Sequence, residues 1–194
     1  MTSNSNSRSD IRFGIDNCQI FYKKLKFEDE RLNISHGNAE KSDDYDTYAF
    51  DAFNFCVTAS HLNFDWLEND TEYRPTLAMD KKAAVKNSSN DIPPEMDKIL
   101  SAIRNLSDGS KHLKLTRLNK IVVDEVTTPE ICDYFSYWFG PQFGLTIGEL
   151  YFTLGDLQGI VMSYFEWIFD ANLGTENFPA GITKSINYIK KNSG

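Results

Sequence analysis

The groups best suited to chemistry in this chain gather between Ile103 and Leu113, in the run I-R-N-L-S-D-G-S-K-H-L. Arg104 and Asn105 stand on one side of Asp108-Gly109, and Lys111 and His112 on the other. An Arg/His pair suits phosphodiester cleavage in RNA. The imidazole moves a proton to or from the 2′-hydroxyl and the leaving oxygen, the guanidinium stabilises charge on the pentavalent phosphate, and no metal is required. On an unbroken helix the two groups would stand about 12 Å apart along the axis, too far to act on one atom. A left-handed Gly109 at a helix end would fold the chain back and return His112 to Arg104. The plainer alternative pairs Arg104 with Asp97, Ser101 or Asp108 on its own helix face, while His112 caps a strand.

A second pair lies upstream. His61 and Asp65 are four residues apart on a helical pattern and so share a face, where the carboxylate can orient the imidazole. A structural hydrogen bond is the plain reading; a supporting place in the Arg104 site is the sharper one. No strong second ligand accompanies His36 or His112, so a zinc site is not expected, and no cofactor is implied. The phosphate-cradling G-x-x-x-x-G-K-[S/T], the dinucleotide G-x-G-x-x-G, H-E-x-x-H and the G-x-S-x-G elbow are all missing.

The elements that must carry these groups follow from the hydropathy pattern. Asp16 offers an N-cap for an amphipathic helix through Ile20, Phe21, Leu25 and Leu32, and Ser35 to Asp46 reads as a polar, acidic linker. Thr47 to Glu68 is the clearest helix: Ala49, Ala52, Phe53, Cys56, Ala59 and Leu67 form a wide stripe, and Phe50, Val57 and Phe64 add a second row that predicts neighbours on two sides. After a connection to Pro94, with a short helix over Leu77 to Lys86, a third helix carries Met96, Ile99, Leu100, Ile103 and Leu106, and Asp108-Gly109 is expected to stop it. The alternations around Leu113 and Leu115, Ile121 and Val123, and Glu149 to Leu154 predict short strands. Gly155-Asp156 opens a fourth helix to Phe169 with little polar face, and a short amphipathic helix with a basic end follows.

The predicted fold class is therefore α+β, mainly α: a four-helix core with a small antiparallel β-sheet inserted between the third and fourth long helices. Residues 1–10 are expected to be disordered, 11–174 to form one helical domain with its β insertion, and 175–194 a tail with a short helix. A length of 194 residues fits one such domain. The aromatic run Tyr134, Phe135, Tyr137, Trp138, Phe139 and Phe143 is either core or a partner surface.

Composition bounds the partners. A formal net charge of -8 argues against tight, non-specific binding to nucleic-acid backbones. Locally, however, Lys98, Arg104, Lys111, Lys114, Arg117 and Lys120 face one acid, Asp108, a strip compatible with a phosphate-bearing ligand or with a solvated face. Cys18, Cys56 and Cys132 are scattered and read as reduced thiols. With no apolar run of membrane-spanning length or signal-peptide character, the expected setting is cytoplasmic, without membrane contact.

On these residues two resemblances rest. The R-N of Arg104-Asn105 followed by Lys111-His112 resembles the R-x(4 to 6)-H motif of the HEPN superfamily, although seven residues separate Arg104 from His112 here. Those compact helical domains are common in toxin, abortive-infection and CRISPR-linked ribonucleases. More narrowly, A-F-N-F-x-V-T-A-x-H-L-x-x-D-W-L from Ala52 to Leu67, followed by R-N-L-S-D-G-S-K-H, is similar to a group of small bacterial and phage-associated proteins carrying A-N-G-S-K-H. The first resemblance implies a metal-independent endoribonuclease of a phage-defence or toxin system. Its catalytic pair would be Arg104 and His112, supported by Asn105, Lys111, His61 and Asp65, with RNA, an antitoxin and a second copy of the chain as partners. The alternative is a non-catalytic helical protein that binds a protein partner through an aromatic surface.

Overall fold

The computed structural model describes residues 14–42, 45–69, 93–111, 144–170 and 178–192. The protein is mainly helical. In chain order the elements are α1 (Cys18–Ser42), α2 (Tyr45–His61) with a π-turn (Leu62–Trp66) and a last turn (Leu67–Asn69), α3 (Pro94–Lys111), β1 (Gly144–Ile147), β2 (Leu150–Thr153), α4 (Leu154–Phe169) and α5 (Ala180–Asn192).

Helix α1 begins at a side-chain cap. The Asn17 Oδ1 accepts from the Ile20 N–H at 2.8 Å, so Asn17 and not Asp16 closes the first turn, and Asp16 instead accepts from the Asn17 amide. The helix also runs eight residues into the expected linker, to Ser42. Leu32, Ser35 and Ala39 continue its buried stripe at helical spacing, and the Ser35 hydroxyl returns its proton to the Leu32 carbonyl at 3.1 Å. Small side chains there let α2 approach, and they looked like loop residues only because they carry little apolar bulk.

Four cross-helix contacts show α1 and α2 to be antiparallel. Phe21 stacks on Trp66, Lys24 donates to Thr58, Arg31 pairs with Asp51, and the His36 ring meets the Tyr48 ring. Rising numbers on one helix meet falling numbers on the other. Phe55, Cys56, Ala59 and Leu62 fill the interior between them, and burial pushes the Cys56 thiol up to about 12, as expected of an inert core cysteine. Of the second apolar row, Phe64 packs against the core but Phe50 is exposed.

The hairpin β1–β2 pairs Gly144 with Thr153 and Ile147 with Leu150, turning through Gly148 at φ 66°. Its second strand falls within the stretch expected to be extended; the strands expected near Leu113 and Ile121, the helix over Leu77 to Lys86 and the Tyr134–Phe143 run lie outside the described residues. Strand β2 passes directly into α4 through a capping box, in which Thr153 Oγ1 accepts from the Asp156 N–H at 3.1 Å and Asp156 Oδ2 accepts from the Thr153 N–H at 3.2 Å. Thr153 is thus the cap expected of Gly155-Asp156.

Helix α4 is apolar nearly all round, and the chain surrounds it. Gln158 donates to Asp29 on α1 at 2.7 Å, Tyr22 of α1 stacks flat on Phe169 at 4.4 Å, and Trp167 meets Phe178 edge-on at 5.4 Å. The expected C-terminal tail helix is α5, whose Ile182, Ile186 and Ile189 enter the same core. No described helix is long and apolar enough to cross a membrane.

An ion pair locks α5 onto the start of α3: Lys190 Nζ stands 2.8 Å from the buried Glu95. Burial opposes the Glu95 charge, but the Lys190 hydrogen bond, a backbone donor and the charges of Lys190 and Lys98 outweigh it and hold the carboxyl below its ordinary value of 4.5. Because the folded value is depressed, this stabilisation is present above pH 4.5 and disappears as pH falls through the folded value. Replacing Lys190 by Met should cost about 1–2 kcal/mol in urea unfolding at pH 7, discounted for the half-exposed lysine. The gap between the two proteins should close in acid; an unchanged gap would show that packing by the lysine stem, and not charge, is what was lost.

Candidate functional site

The site is built where α2 changes pitch. Within Leu62–Trp66 the ladder widens to i→i+5, with the Leu67 N–H donating to the Leu62 carbonyl. The π-turn is held from three sides. Leu62 and Leu67 are fully buried, and Trp66 stacks on Phe21 of α1 at 5.0 Å. Asn69 adds a brace by donating its side-chain amide to the Asp65 carbonyl at 2.7 Å.

On this frame His61 Nδ1 meets Asp65 Oδ2 at 2.5 Å, with the ring partly exposed and the carboxylate more so. The pairing read from their spacing is therefore formed. If Nδ1 carries the proton that Asp65 accepts, the neutral ring presents Nε2 as its base.

Arg104 arrives from α3. Its guanidinium carbon lies 4.6 Å from the centroid of the Phe64 ring, the residue immediately before Asp65. The side chain is half-exposed, and its nearest described carboxylate, Asp108, is 3.9 Å away at the outer limit of an ion pair. With both groups half in water, that pair neutralises little of the charge. The cation–π contact with Phe64 holds the cation in place without cancelling it.

The expected turn at Gly109 is different. Helix α3 continues through Asp108 and Gly109 to Lys111, so the chain does not reverse at the glycine. Glycine permits a left-handed residue but does not impose one, and inside a helix it costs only about 1 kcal/mol relative to alanine. Burial of Ile103 and Ser107 in the preceding turns offsets a cost of that size. Lys111 ends the helix about 10 Å along the axis from Arg104. His112 lies outside the described residues. Asn105 is partly buried beside Arg104 on α3. The structure thus brings Arg104 against Phe64, a residue of the turn that also carries Asp65 of the His61–Asp65 pair.

No family model, curated protein or solved structure matches the chain.

Phe64 was legible only as an apolar position, since its meeting with Arg104 depends on how α2 and α3 register across the core. The π-turn carries no sequence signal that separates it from an α-turn. Among the described residues no three His, Cys, Asp or Glu side chains cluster as metal ligands.

Because Arg104 is held by stacking and a weak ion pair, R104A should lower stability by no more than about 1 kcal/mol. Removing the half-buried ring in F64A should cost about 3 kcal/mol. Denaturant unfolding of the two variants checks the order; a larger loss for R104A would mean that the arginine is a structural brace.

Proposed function

We propose that the protein is a HEPN-like, metal-independent endoribonuclease of a defence or toxin system, with Arg104 as the phosphate-binding cation. The observation that carries this reading is the half-exposed Arg104 guanidinium, held on Phe64 beside the hydrogen-bonded His61–Asp65 pair. A cation and a proton-transferring imidazole are what transfer at a phosphodiester requires. In the reading drawn from the resemblance, His112 supplies the proton-transferring group, Asn105 and Lys111 contact the phosphate backbone, and a second copy of the chain completes a cleft. The inserted sheet would then extend the β1–β2 hairpin on the strands around Leu113 and Ile121.

Purified protein incubated in chelator with single-stranded RNA and transfer RNA tests this directly. Cleavage by the wild type should fall by about 10²-fold or more in R104A and in H112A. Intact RNA with the wild type, or equal cleavage by all three proteins, would remove the reading.

One observation favours a non-catalytic interaction protein instead. Phe27 and Ile34 on α1 and Phe50 on α2 are each more than half exposed; Ile34 lines a shallow groove with Arg31, Asn38, Thr47 and Asp51, and the Phe27 ring lies 5.9 Å from the Arg31 guanidinium. Apolar rings beside such a groove suit a protein partner. The same assay separates the readings, since a docking protein leaves RNA intact and is indifferent to Arg104.

A further inference from the structure

We propose that the outer face of α5 binds a single strand of RNA, with the Tyr188 ring stacking against a base and Lys184 and Lys191 meeting phosphates; this rests on the ribonuclease reading for the choice of polymer. The helix has one side committed to the core, where Ile182, Ile186 and Ile189 are buried. At about 100° per residue, Lys184, Tyr188 and Lys191 fall together on the side opposite that stripe. All three are exposed, the tyrosine at 71%.

Lysines on a surface helix are by themselves an ordinary solvated face, and cations in a last turn also complement the helix dipole. Two features go further. From Ala180 to Asn192 there is no Asp or Glu, in a chain whose formal net charge is -8, so cations are segregated here and not interspersed with acids. Lys190 is spent on Glu95, whereas among the described residues no carboxylate pairs with Lys184 or Lys191. The second feature is the ring itself, a large aromatic side chain left open between those two ammonium groups. Asn192 donates its side-chain amide to the Tyr188 carbonyl at 2.8 Å and so holds the last turn, which carries Lys191.

Single-stranded nucleic acid needs what this face supplies: cations that track the backbone and an aromatic platform that any base can cover. Lys184 and Lys191 are seven residues apart, about 10 Å along the axis, with Tyr188 between them. Phosphates on either side of one stacked base can therefore each meet an ammonium group. A lipid surface fits less well. Lying in a bilayer interface takes an apolar stripe, and α5 has given its isoleucines to the core, leaving one ring that ends in a hydroxyl. Through the Lys190–Glu95 pair the platform is fastened to α3, the helix that carries Arg104.

The test uses the full chain and a fluorescein-labelled, single-stranded 2′-O-methyl RNA, which keeps bases and phosphates but lacks the 2′-hydroxyl nucleophile. Its binding is followed by anisotropy across a range of salt. Y188A should weaken binding by about tenfold, while Y188F, which keeps the ring, should stay within about twofold. K184Q and K191Q should each lower the slope of log K against log salt by about 0.7. With unmodified RNA, Y188A should raise KM at unchanged kcat. Far-UV circular dichroism and melting of each variant guard against misfolding. No binding by the wild type, or equal binding by wild type and Y188A, overturns the inference. So does a wild type that floats with phosphatidylserine vesicles and leaves the RNA free, since the face is then a lipid contact. Binding that depends on Tyr188, with unmodified RNA left intact by the wild type, removes the ribonuclease reading and leaves this site standing. Cleavage of RNA with binding indifferent to Tyr188 does the reverse.

Discussion

Two carboxylates buried between α1 and α2 set the register on which the site depends. Glu28 and Asp51 are nearly sealed from solvent, a placement that carries a large desolvation cost unless each is met by a cation. Lys24 meets Glu28 at 2.8 Å and reaches Thr58 across the interface, while Arg31 bridges Glu28 on its own helix and Asp51 on the other. Sliding either helix by one turn would leave a buried charge unmatched. Apolar stripes of Leu, Phe and Ala tolerate such a slip far better, so the ionic ladder, more than the core, specifies which residues of α2 face which of α1. At one end of that ladder Phe21 receives Trp66, and so the position of the π-turn follows from charges placed more than one helical turn away.

Helix α4 supplies the second constraint. It lacks a continuous polar face and is stable only when enclosed, which is achieved by α1, α5 and the hairpin together. Its few polar groups are used as fixed points. Gln158 ties it to Asp29 and Asn33, and Tyr164, buried near Asp97 of α3, has its phenol pushed far above the ordinary range, chiefly by burial. Tyr22, stacked on Phe169, is raised to about 12 by burial and by the charges of Glu166, Asp29 and Asp170. Both phenols therefore act as neutral packing groups.

Much of this was legible in the residues because it is local. The stripe from Ala49 to Leu67, the start of α3 at Pro94, the apolar α4 and the His61–Asp65 spacing each follow from a period of three to four, which needs no knowledge of neighbours. The failures share a different cause. Ser35 to Ser42 resembles a linker because its residues are small or polar, yet it is helical because α2 covers it. Asp108-Gly109 resembles a stop because glycine lowers helix preference, yet packing of the preceding turns carries α3 past it. In both places tertiary contact overrode a local preference of about 1 kcal/mol.

The same distinction applies to the turn expected at Gly109. A motif within a single segment invites an arrangement within that segment, so Arg104 was joined to the nearest following imidazole through a turn at Gly109. A continuous helix removes that turn. With α3 continuous to Lys111, the ring that meets Arg104 comes from the helix packed beside it: Phe64, next in sequence to Asp65 of the His61–Asp65 pair. Arg104 keeps its exposure because its support is a ring and not a carboxylate; a buried salt bridge in that position would have fixed the side chain equally well but neutralised it. Among the described groups, then, the guanidinium and the imidazole are each oriented by a different neighbour, Phe64 for one and Asp65 for the other.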